Sequence, residues 1–466
     1  AGGIVTDANG NYLFGNLLPG LYYVKLPNSN FTAGGALSDF PLSSVTTNEN
    51  DDQMDSDDNG IQMGGAGGMV MSTIIDLRPG LEPASEPGQG GAQDASDDDN
   101  GDMTVDFGFV PSVSVGSLVF VDLNNNGVFE GTDFGVNGVE VQLFTTGADG
   151  IKGTADDTII PTGPDGIPFT SDDATSGVIT STVSAQAGVY YFSGLPEGEY
   201  YLKIQTSEFQ SGEALFDYPL SSSDIATTAS DNNTDNDDNG LQMGGAGGMV
   251  MSPEFTLVAD AETITEPGPG GAQDNADDNN GDMTKDFGFV QAVSVGSTVF
   301  ADLDNDGQYE PADGENGIPG VILTLYSTGP DGTKGTGDDV LIATDNSDPQ
   351  GNYFFEGLYP GEYYVVIGTA EFGVGEPLNG FVSSTPTTAT DNQNDDDDNG
   401  IEMGIVGTTY MVMSPEFTLA AGTEPLSPAE DGQGSTQDDV QDANGDMTID
   451  FGFVPTLSIG STVWVD

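Results

Sequence analysis

Apolar and polar residues alternate along several short stretches of the chain, a pattern typical of half-buried β-strands. Within residues 111–290 the alternating stretches are rich in β-branched and aromatic residues and predict six strands: 112–121, 138–145, 178–184, 188–192, 199–205 and 284–289. Gly, Pro, Asn and Asp separate them, and no stretch has the 3.6-residue period of an amphipathic helix. The pattern therefore predicts an all-β fold made of antiparallel β-sandwich domains.

The same phrases recur along the chain at long intervals. Met-Thr-Val-Asp-Phe-Gly-Phe-Val at 103–110 returns, with one residue changed each time, 180 residues later at 283–290 and a further 164 residues later at 447–454. A repeat of this length is a whole domain, which we call a bead. We divide the chain into 1–110, the C-terminal part of a bead; 111–290 and 291–454, two complete beads; and 455–466, the first strand of another. We expect a slice of a longer linear array, and arrays of this kind point to length or avidity before catalysis.

Charge and composition exclude several functions. The chain has 77 Asp and Glu against 6 Lys and Arg, a formal net charge of −71, so it repels nucleic acid and anionic membrane surfaces. It has no Cys and no His, which removes disulfides, thiolate metal sites and imidazole bases. The sequence contains no run of about 18 apolar residues, the length that a membrane-spanning segment requires. The Asp residues gather with Asn and Gly at fixed places in each bead, which favours cation-binding loops over a uniformly acidic halophilic surface.

One acidic cluster follows the first strand of each complete bead. It has the spacing of an EF-hand-type calcium loop, with oxygen-bearing side chains at positions 1, 3 and 5, Gly at 6 and an acid at 12, but without flanking helices. The predicted ligands are Asp122, Asn124, Asn126 and Asp133 in one bead and Asp302, Asp304, Asp306 and Asp313 in the other. The alternative is a plain Asx turn, because Asp, Asn and Gly also form turns.

Three further clusters of hard oxygen donors recur. Loops of the Pro-Asp-Gly type, duplicated 16 residues apart in bead 111–290, contain Asp149, Asp156, Asp157, Asp165, Asp172, Asp173, Asp331, Asp338 and Asp339. A cluster that ends in Asp-Asn-Gly contains Asp51, Asp55, Asp57, Asp231, Asp235, Asp237, Asp391, Asp395 and Asp397. A cluster before the last strand contains Asp94, Asp102, Asp274, Asp282, Asp438 and Asp446. Close carboxylates repel at about 1 kcal/mol per pair in water, and a divalent cation reverses the sign. We predict several Ca²⁺ ions per bead; the alternative is solvated acidic loops.

Several motifs suggest catalysis, but the chain lacks the other residues that each catalytic motif needs. Asp-Phe-Gly at 106–108, 286–288 and 450–452 lacks the Gly-rich loop, Lys and His of a kinase, and we expect it in the last strand with Asp outward and both Phe inward. The Gly-rich segments 64–68 and 244–248 are not followed by Lys-Ser/Thr and form no phosphate cradle. Pairs of acids that could act as glycosidase carboxylates recur in every bead, which suits a scaffold better than one active site. We predict no enzymatic activity.

Five motifs occur in a fixed order and point to a family. They are Gly-Ser-x-Val-Phe-x-Asp-x-Asp-x-Asp-Gly at 296–307, Asn-Gly-Ile-Pro-Gly-Val-x-Leu-x-Leu-Tyr at 316–326, Gly-Asn-Tyr-Phe-Phe to Glu-Tyr-Tyr-Val at 351–365, the Asp-rich 391–400 and Asp-Phe-Gly-Phe at 450–453. In these the chain resembles the SdrD-type B-like repeat domains of serine–aspartate-repeat surface adhesins, which are related to collagen-adhesin B-type domains.

The resemblance implies a calcium-stabilised, prealbumin-like β-sandwich that serves as a stiff stalk in a secreted, cell-surface protein. By motif, the calcium ligands that carry over are Asp122, Asn124, Asn126, Asp302, Asp304 and Asp306. Collagen-adhesin repeats often contain a Lys–Asn isopeptide bond; the first strand of each bead lacks Lys here, so none is expected.

Two functions of different classes follow from these patterns. The first is structural: beads stabilised by calcium form an extracellular stalk or fibre, in which copies associate end to end or laterally. The second is an adhesin module whose loops bind a glycan or a host protein. Its candidate contacts are the pairs Tyr200–Tyr201 and Tyr363–Tyr364, unless these tyrosines are half-core strand residues.

Overall fold

The computed structural model describes residues 2–44, 57–83, 99–160, 188–222, 234–264, 279–385, 393–405, 408–426, 443–462 and 464. Within these ranges the regular structure consists of β-strands and of four short 3-10 helices, Asn28–Asn30, Thr206–Phe209, Pro311–Asp313 and Thr369–Phe372. The prediction of an all-β fold is confirmed. None of the helices in the described residues has the length and apolar character that a membrane span requires.

The described residues between 2 and 110 contain seven short strands: β1 (Gly20–Tyr22), β2 (Lys25–Leu26), β3 (Leu42–Ser43), β4 (Ile61–Met63), β5 (Met69–Met71), β6 (Ile75–Leu77) and β7 (Phe109–Val110). They pair into three small sheets, in the orders β1-β6, β2-β5-β4 and β3-β7. Each of these pairs has a counterpart in the two complete beads.

Bead 111–290 is built from two sheets packed face to face. Its strands are β8 (Val113–Val121), β9 (Phe134–Gly135), β10 (Val141–Thr145), β11 (Thr158–Ile159), β12 (Val189–Leu195), β13 (Gly198–Ile204), β14 (Leu220–Ser221), β15 (Leu241–Met243), β16 (Met249–Met251), β17 (Phe255–Leu257), β18 (Gly281–Asp282) and β19 (Phe287–Val290). One sheet has the order β11-β10-β13-β16-β15 with β17 beside β13, and the other has the order β12-β8-β19-β14 with β9 and β18 beside β8. Val115 and Phe287 of the second sheet meet Leu143 and Leu202 of the first in one fully buried core.

Bead 291–454 repeats this plan. Its strands are β20 (Val293–Ala301), β21 (Asn316–Gly317), β22 (Ile322–Ser327), β23 (Val340–Asn346), β24 (Asn352–Leu358), β25 (Gly361–Ile367), β26 (Phe381–Ser383), β27 (Ile401–Met403), β28 (Met411–Met413), β29 (Phe417–Leu419), β30 (Gly445–Asp446) and β31 (Phe451–Pro455). The sheets have the orders β23-β22-β25-β28-β27, with β29 beside β25, and β21-β20-β31-β26, with β24 and β30 beside β20. The domain boundaries drawn from the sequence stay a prediction.

The first and last strands of each complete bead lie side by side and run in the same direction. β8 pairs in parallel with β19, with Phe287 opposite Val119 and Phe289 opposite Val121. β20 pairs in the same way with β31. All other pairs, apart from those of β18 and β30, are antiparallel among the described strands. The long first strand therefore lies at the centre of its sheet, and the acidic loop that follows it lies next to the last strand.

Four of the six strands predicted for bead 111–290 agree with β8, β10, β12 and β13 to within a few residues. The predicted strand at 178–184 lies outside the described residues. The last strand starts at Phe287, later than predicted, and Asp286 precedes it. Asp286 and its counterpart Asp450 are 0% exposed, so the expectation that the Asp of Asp-Phe-Gly faces outward is wrong.

Candidate metal sites

The loop after β20 brings three carboxylates together. Asp302, Asp304 and Asp306 each offer one oxygen, and these oxygens lie within 4.8 Å of one another. Asp302 is fully buried and accepts the backbone N–H of Asn305 at 2.6 Å and of Gly307 at 2.9 Å. Gly307 has φ +79°, a left-handed turn that a residue with a Cβ rarely adopts. The alternating spacing of the sequence thus becomes a convergent set of oxygens.

The acid that closes this loop differs from the one predicted. In bead 111–290, Asp133 accepts the backbone N–H groups of Leu123 at 3.0 Å and Glu130 at 2.9 Å. In bead 291–454 the corresponding N–H groups, of Leu303 and Glu310, donate to Glu315, at 2.7 and 2.8 Å. Glu315 is buried, whereas Asp313 ends an exposed 3-10 turn. The structure therefore places Glu315, and not Asp313, at the position that Asp133 holds.

The corresponding loop after β8 has one carboxylate and two amides. Asp122 is buried, and burial is the main reason why its pKa is raised. The amide oxygens of Asn124 and Asn126 accept the backbone N–H groups two residues ahead, as in Asx turns. The side chain of Asn126 also donates to Glu130 at 3.0 Å. These hydrogen bonds show that the loop after β8 contains Asx turns, and its role as a calcium loop stays a prediction.

The carboxylates in the loop after β20 repel one another. The pKa of Glu310, which is exposed, is raised chiefly by Asp306, then by Asp313, with Asp304 and Glu315 adding to the effect. Glu310 therefore lies in a strongly negative potential. A divalent cation bound among these oxygens would reverse that effect, since it favours the charged form of each carboxylate.

The Pro-Asp-Gly type loops are organised around a threonine. Asp149, Asp156 and Asp157 also hold carboxylate oxygens within 4.8 Å of one another. The hydroxyl of Thr154 lies at the centre, 2.8 Å from Oδ1 of Asp156 and within 3.4 Å of the other two carboxylates. In bead 291–454 the hydroxyl of Thr336 contacts the corresponding residues in the same way, and these are Asp331, Asp338 and Asp339.

A lysine fastens each of these loops to the sandwich. Lys152 donates to the carbonyl of Ser252 at 2.6 Å, and Lys334 donates to the carbonyl of Ser414 at 2.7 Å. Glu254 and Glu416 lie 3.7 Å from the respective ammonium groups. The loops are thus held at a fixed place on the sheet, although no pattern in the sequence indicated the lysine contact.

The cluster that ends in Asp-Asn-Gly lies against the loop after the first strand. The N–H of Tyr309 donates to the carbonyl of Asp396 at 2.7 Å, and the N–H of Asp398 donates to Gly307 at 3.0 Å. Single β-bridges join Gln308 to Asp397 and, in the other bead, Val128 to Asp237. Two clusters that are about 90 residues apart in bead 291–454 and about 110 apart in bead 111–290 therefore form one acidic region in each bead, which includes Asp235 and Asp395.

Sequence reasoning missed buried carboxylates in this region. Asp238 accepts the N–H groups of Gly240 at 2.7 Å and Gly288 at 3.0 Å, and the hydroxyls of Ser221 and Ser222, both at 3.0 Å. These donors come from three separate segments. Asp238 therefore joins the acidic cluster to β14 and to the last strand, and its hydrogen bonds identify it as a structural residue.

Asp286 and Asp450, the aspartates of Asp-Phe-Gly, have a similar role. Asp450 accepts the hydroxyl of Ser297 at 2.5 Å, the N–H of Thr298 at 3.0 Å and the N–H of Asp396 at 3.0 Å. Burial raises the pKa of both aspartates well above its ordinary value, and the nearby Asp395 raises that of Asp450 further. No signal in the sequence distinguished these aspartates from outward-facing strand residues.

These buried acids predict how stability depends on pH when calcium is absent. Burial raises the pKa of Asp238 from its ordinary value of 3.8 to about 7. Between these values the folded chain holds a proton that the unfolded chain has lost, so this stabilisation is complete below pH 3.8 and lost as the pH rises through 7. In chelator, we expect a higher unfolding midpoint at pH 5 than at pH 8, with at most about 1.4 kcal/mol per pH unit from each group. A midpoint that rises from pH 5 to pH 8 would contradict this assignment.

The remaining predicted ligands divide into two sets. Asp57, Asp102, Asp282 and Asp446 lie in the described residues, where Oδ1 of the last three accepts the N–H of the threonine two residues ahead, at 3.0, 3.1 and 3.0 Å. The others lie outside the described residues: Asp51, Asp55, Asp94, Asp165, Asp172, Asp173, Asp231, Asp274, Asp391 and Asp438.

The four candidate tyrosines are buried. Tyr200, Tyr201, Tyr363 and Tyr364 are at most 5% exposed. The hydroxyls of Tyr201 and Tyr364 donate to Asp157 and Asp339, at 3.0 and 2.6 Å, and so support the Pro-Asp-Gly type loops. These side chains are core residues and form no contact surface for a glycan or a protein.

The fold and these loops define a class of protein: a tandem array of β-sandwich modules with acidic surface loops. Residues 293–423 match the family model of the SdrD B-like domain. This stretch is an SdrD B-like domain, and the resemblance drawn from the motifs is confirmed.

Curated relatives are similar over longer stretches. The chain is 25% identical, over 99% of its length, to the serine-aspartate repeat-containing protein F of Staphylococcus epidermidis, of which it covers 18%. It is 25% identical, over 70% of its length, to the serine-aspartate repeat-containing protein D of Staphylococcus aureus, of which it covers 17%. The chain thus spans less than a fifth of the length of these relatives. Among solved structures, a streptococcal ancillary pilin covers 84% of the chain, with 78% of its own residues, at 12% identity and a TM-score of 0.23.

The family settles the coarse function. The SdrD B-like domain is a non-catalytic, extracellular module of cell-surface proteins, and the predictions of a surface location and of no enzymatic activity are confirmed by this match. Its occurrence in serine–aspartate-repeat relatives agrees with a structural or adhesive role.

Proposed function

We propose that the chain is part of an extracellular stalk or fibre whose β-sandwich beads are stabilised by calcium bound in their aspartate loops. The observation that carries this proposal is the convergence of Asp302, Asp304 and Asp306 on one point, with their oxygens within 4.8 Å of one another. Carboxylate and amide oxygens are the donors that calcium prefers, and the chain has no His or Cys to favour another metal.

The charge balance supports a cation at this site. Bead 291–454 contains one basic residue, Lys334, and its ammonium contacts Ser414 and Glu416 at the other sheet. The carboxylates after β20 therefore have no basic side chain of their own bead to balance them. In the folded bead they are held close together, whereas in the unfolded chain they can separate. A divalent cation that binds only the folded form would turn this electrostatic cost into stabilisation.

The position of the loop connects calcium to stiffness. It follows the central strand β20, and its backbone bonds to the segment around Asp396 and Asp398. Asp398 in turn accepts the N–H of Gly452 in the last strand at 3.0 Å. Calcium bound here would hold the end of the first strand, the acidic cluster and the last strand in one arrangement. Association of copies end to end or side by side is part of the same proposal.

Calcium titration of the full chain by calorimetry tests the proposal, with a matched pair of variants. Glu315→Gln removes the charge that holds the loop through Leu303 and Glu310, and we expect about 10-fold to 100-fold weaker binding at one site. Asp313→Asn removes the same charge from an exposed turn two residues away, and we expect no more than about a twofold change. A chain without saturable calcium binding refutes the proposal, and a larger effect of Asp313→Asn than of Glu315→Gln refutes the assignment of the closing acid.

A further inference from the structure

The segment that joins the two complete beads is short and buried. β19 ends at Val290 and β20 begins at Val293, so only Gln291 and Ala292 lie between the two sandwiches. Ala292 is 2% exposed and packs with Leu220 and Val290 in a small apolar cluster. A linker that is this short, and buried rather than solvated, restricts how one bead can move relative to the other.

The corresponding linker positions of the three beads can be compared. Ser112, Ala292 and Thr456 each stand two residues after the last valine of their bead. Ser112 and Ala292, which a complete bead follows, are both 2% exposed. Thr456, beyond which the structure describes no strand, is exposed. Burial of the linker therefore accompanies the presence of a following bead.

A turn of bead 291–454 lies at this joint. Leu358, the last residue of β24, is opposite Val293, the first residue of β20, so the turn between β24 and β25 lies beside the linker. Tyr359 and Pro360 of this turn line a cleft of about 930 Å³ together with Asp238 of the preceding bead. The pKa of Tyr359 is raised, first by burial and then by the carboxylate of Asp238. Side chains of the two beads thus face each other across the joint.

The Gly-rich segment 244–248 of bead 111–290 meets the same turn. It connects β15 to β16, and the N–H of Gly247 donates to the carbonyl of Pro219, next to β14, at 2.6 Å. Three of its glycines have φ between +70° and +93°, and Ala246 is its single residue with a side chain. A Cβ on Gly357 would lie 3.2 Å from Cβ of Ala246, so the two turns touch and leave little space for a side chain at position 357.

This segment differs among the three beads. Residues 64–68 have the same sequence, Gly-Gly-Ala-Gly-Gly, as residues 244–248. The corresponding segment of bead 291–454, residues 404–410, is two residues longer and has Ile405, which is 69% exposed, in place of a glycine. The compact turn is therefore a property of particular beads and not of the repeat as a whole.

We infer that the Gly-rich turn 244–248 and the linker form a docking surface for the following bead, and that the turn 357–361 is the part of that bead that occupies it. The docked turn fixes the two beads in one relative orientation. Because relative motion is the rule for domains that share only a small interface, a joint of this kind is what allows a row of beads to act as one stiff rod. The inference rests on the proposed function for the role of the chain in a stalk, whereas the docking itself needs no calcium ion.

Distances between spin labels on the two beads test this inference in the full chain. The chain contains no cysteine, so Ser211→Cys and Val374→Cys introduce one label in each bead. Both positions are exposed, and they correspond to each other, since each lies two residues after a 3-10 turn, Thr206–Phe209 or Thr369–Phe372. Double electron–electron resonance in calcium gives the distribution of distances between the labels. We expect one narrow distribution for the chain that carries no further substitution.

Two variants on opposite sides of the joint should broaden this distribution. Tyr359→Ala removes the aromatic side chain of the turn, and Ala246→Glu places a larger, charged side chain where Gly357 approaches. We expect each to widen the distribution about twofold or more, because the beads then move about their linker. Leu18→Ala is the matched control: Leu18 has the turn position that Tyr359 has in bead 291–454, and it is 78% exposed. Its substitution should leave the distribution unchanged.

The outcomes separate this inference from the proposed function. A broad distribution without further substitution, measured while calcium is bound, refutes the docking surface and not the calcium proposal. A chain that binds no calcium but gives a narrow distribution, widened by both variants, refutes the calcium proposal and supports the docking surface. Unchanged distributions in both variants contradict the docking surface. If Tyr359→Ala does not fold, Ala246→Glu decides alone, because it changes an exposed residue of the other bead.

Discussion

Removal of calcium is expected to lower the unfolding midpoint of the complete beads by roughly 10–20 °C. Each site saturated 100-fold contributes about 2.7 kcal/mol, and two sites per bead contribute about 5 kcal/mol. For domains of this size 1 kcal/mol corresponds to about 2–4 °C. The two sites with the strongest support are the loop of Asp302, Asp304 and Asp306 in one bead and the loop of Asp149, Asp156 and Asp157 in the other. The sequence repeats each loop in the other bead. Scanning calorimetry of the full chain in calcium and in chelator measures the difference.

The control for this experiment is charge screening alone. Sodium chloride at high concentration screens the repulsion among exposed carboxylates without occupying a site of defined geometry. If calcium at millimolar concentration acts through the loops, molar sodium chloride in chelator should reverse only part of the decrease in unfolding midpoint that calcium removal causes. Full recovery by salt, together with an unchanged midpoint at low calcium, would show that the loops are solvated turns and that the chain has a halophile-type acidic surface.

Substitution of Asp238 by Ala should be the most destabilising single change in an acidic cluster, at about 3 kcal/mol or more. The substitution leaves the N–H groups of Gly240 and Gly288 buried without an acceptor, and unpaired buried donors cost about 1–3 kcal/mol each. We expect a decrease in midpoint of roughly 6–12 °C, of similar size in calcium and in chelator, because this carboxylate is committed to its own hydrogen bonds. Thermal melts under both conditions measure it.

Two further variants interpret that result. Asp238→Asn keeps the shape and one acceptor oxygen, so it should destabilise less, and it should also flatten the dependence of stability on pH, since the group whose pKa is raised to about 7 is gone. Asp217→Ala removes an exposed carboxylate near β14 and should change the midpoint by little. If Asp238→Ala destabilises the chain in calcium but not in chelator, Asp238 is a calcium ligand and the structural assignment is wrong.

Local patterns in the sequence were sufficient to predict the strands. The alternating Val-Ser-Val at 113–115 and the apolar Tyr-Tyr-Leu at 200–202 are typical of strands, and both stretches are strands in the structure. The repeat showed that the same plan occurs more than once. Both signals are local or nearly identical between beads, so they need no knowledge of which strands pair.

Local patterns could not predict the role of a residue whose hydrogen-bond partners are far away in the sequence. Asp286 looks like an outward residue of a regular strand, but the strand begins one residue later and its carboxylate accepts the N–H of Leu118, 168 residues away. Glu315 replaces the predicted Asp313 because the turn Pro311–Asp313 and Gly314, at φ +102°, reverse the chain before the closing acid. Counting positions from Asp302 leads to Asp313 rather than to Glu315, since the count assumes one loop length.

The parallel pairing of the first and last strands determines how a bead responds when its ends are pulled apart. The chain enters at the start of β8 and leaves at the end of β19, and these two strands are joined directly, with Phe289 opposite Val121. Tension along the array therefore acts along the strand axes in opposite directions and loads the hydrogen bonds of the pair in shear, so that they must break together rather than one after another. A bead connected in this way resists extension until a high force is reached, and the acidic loop between β8 and the last strand is the point at which a bound cation would raise that force.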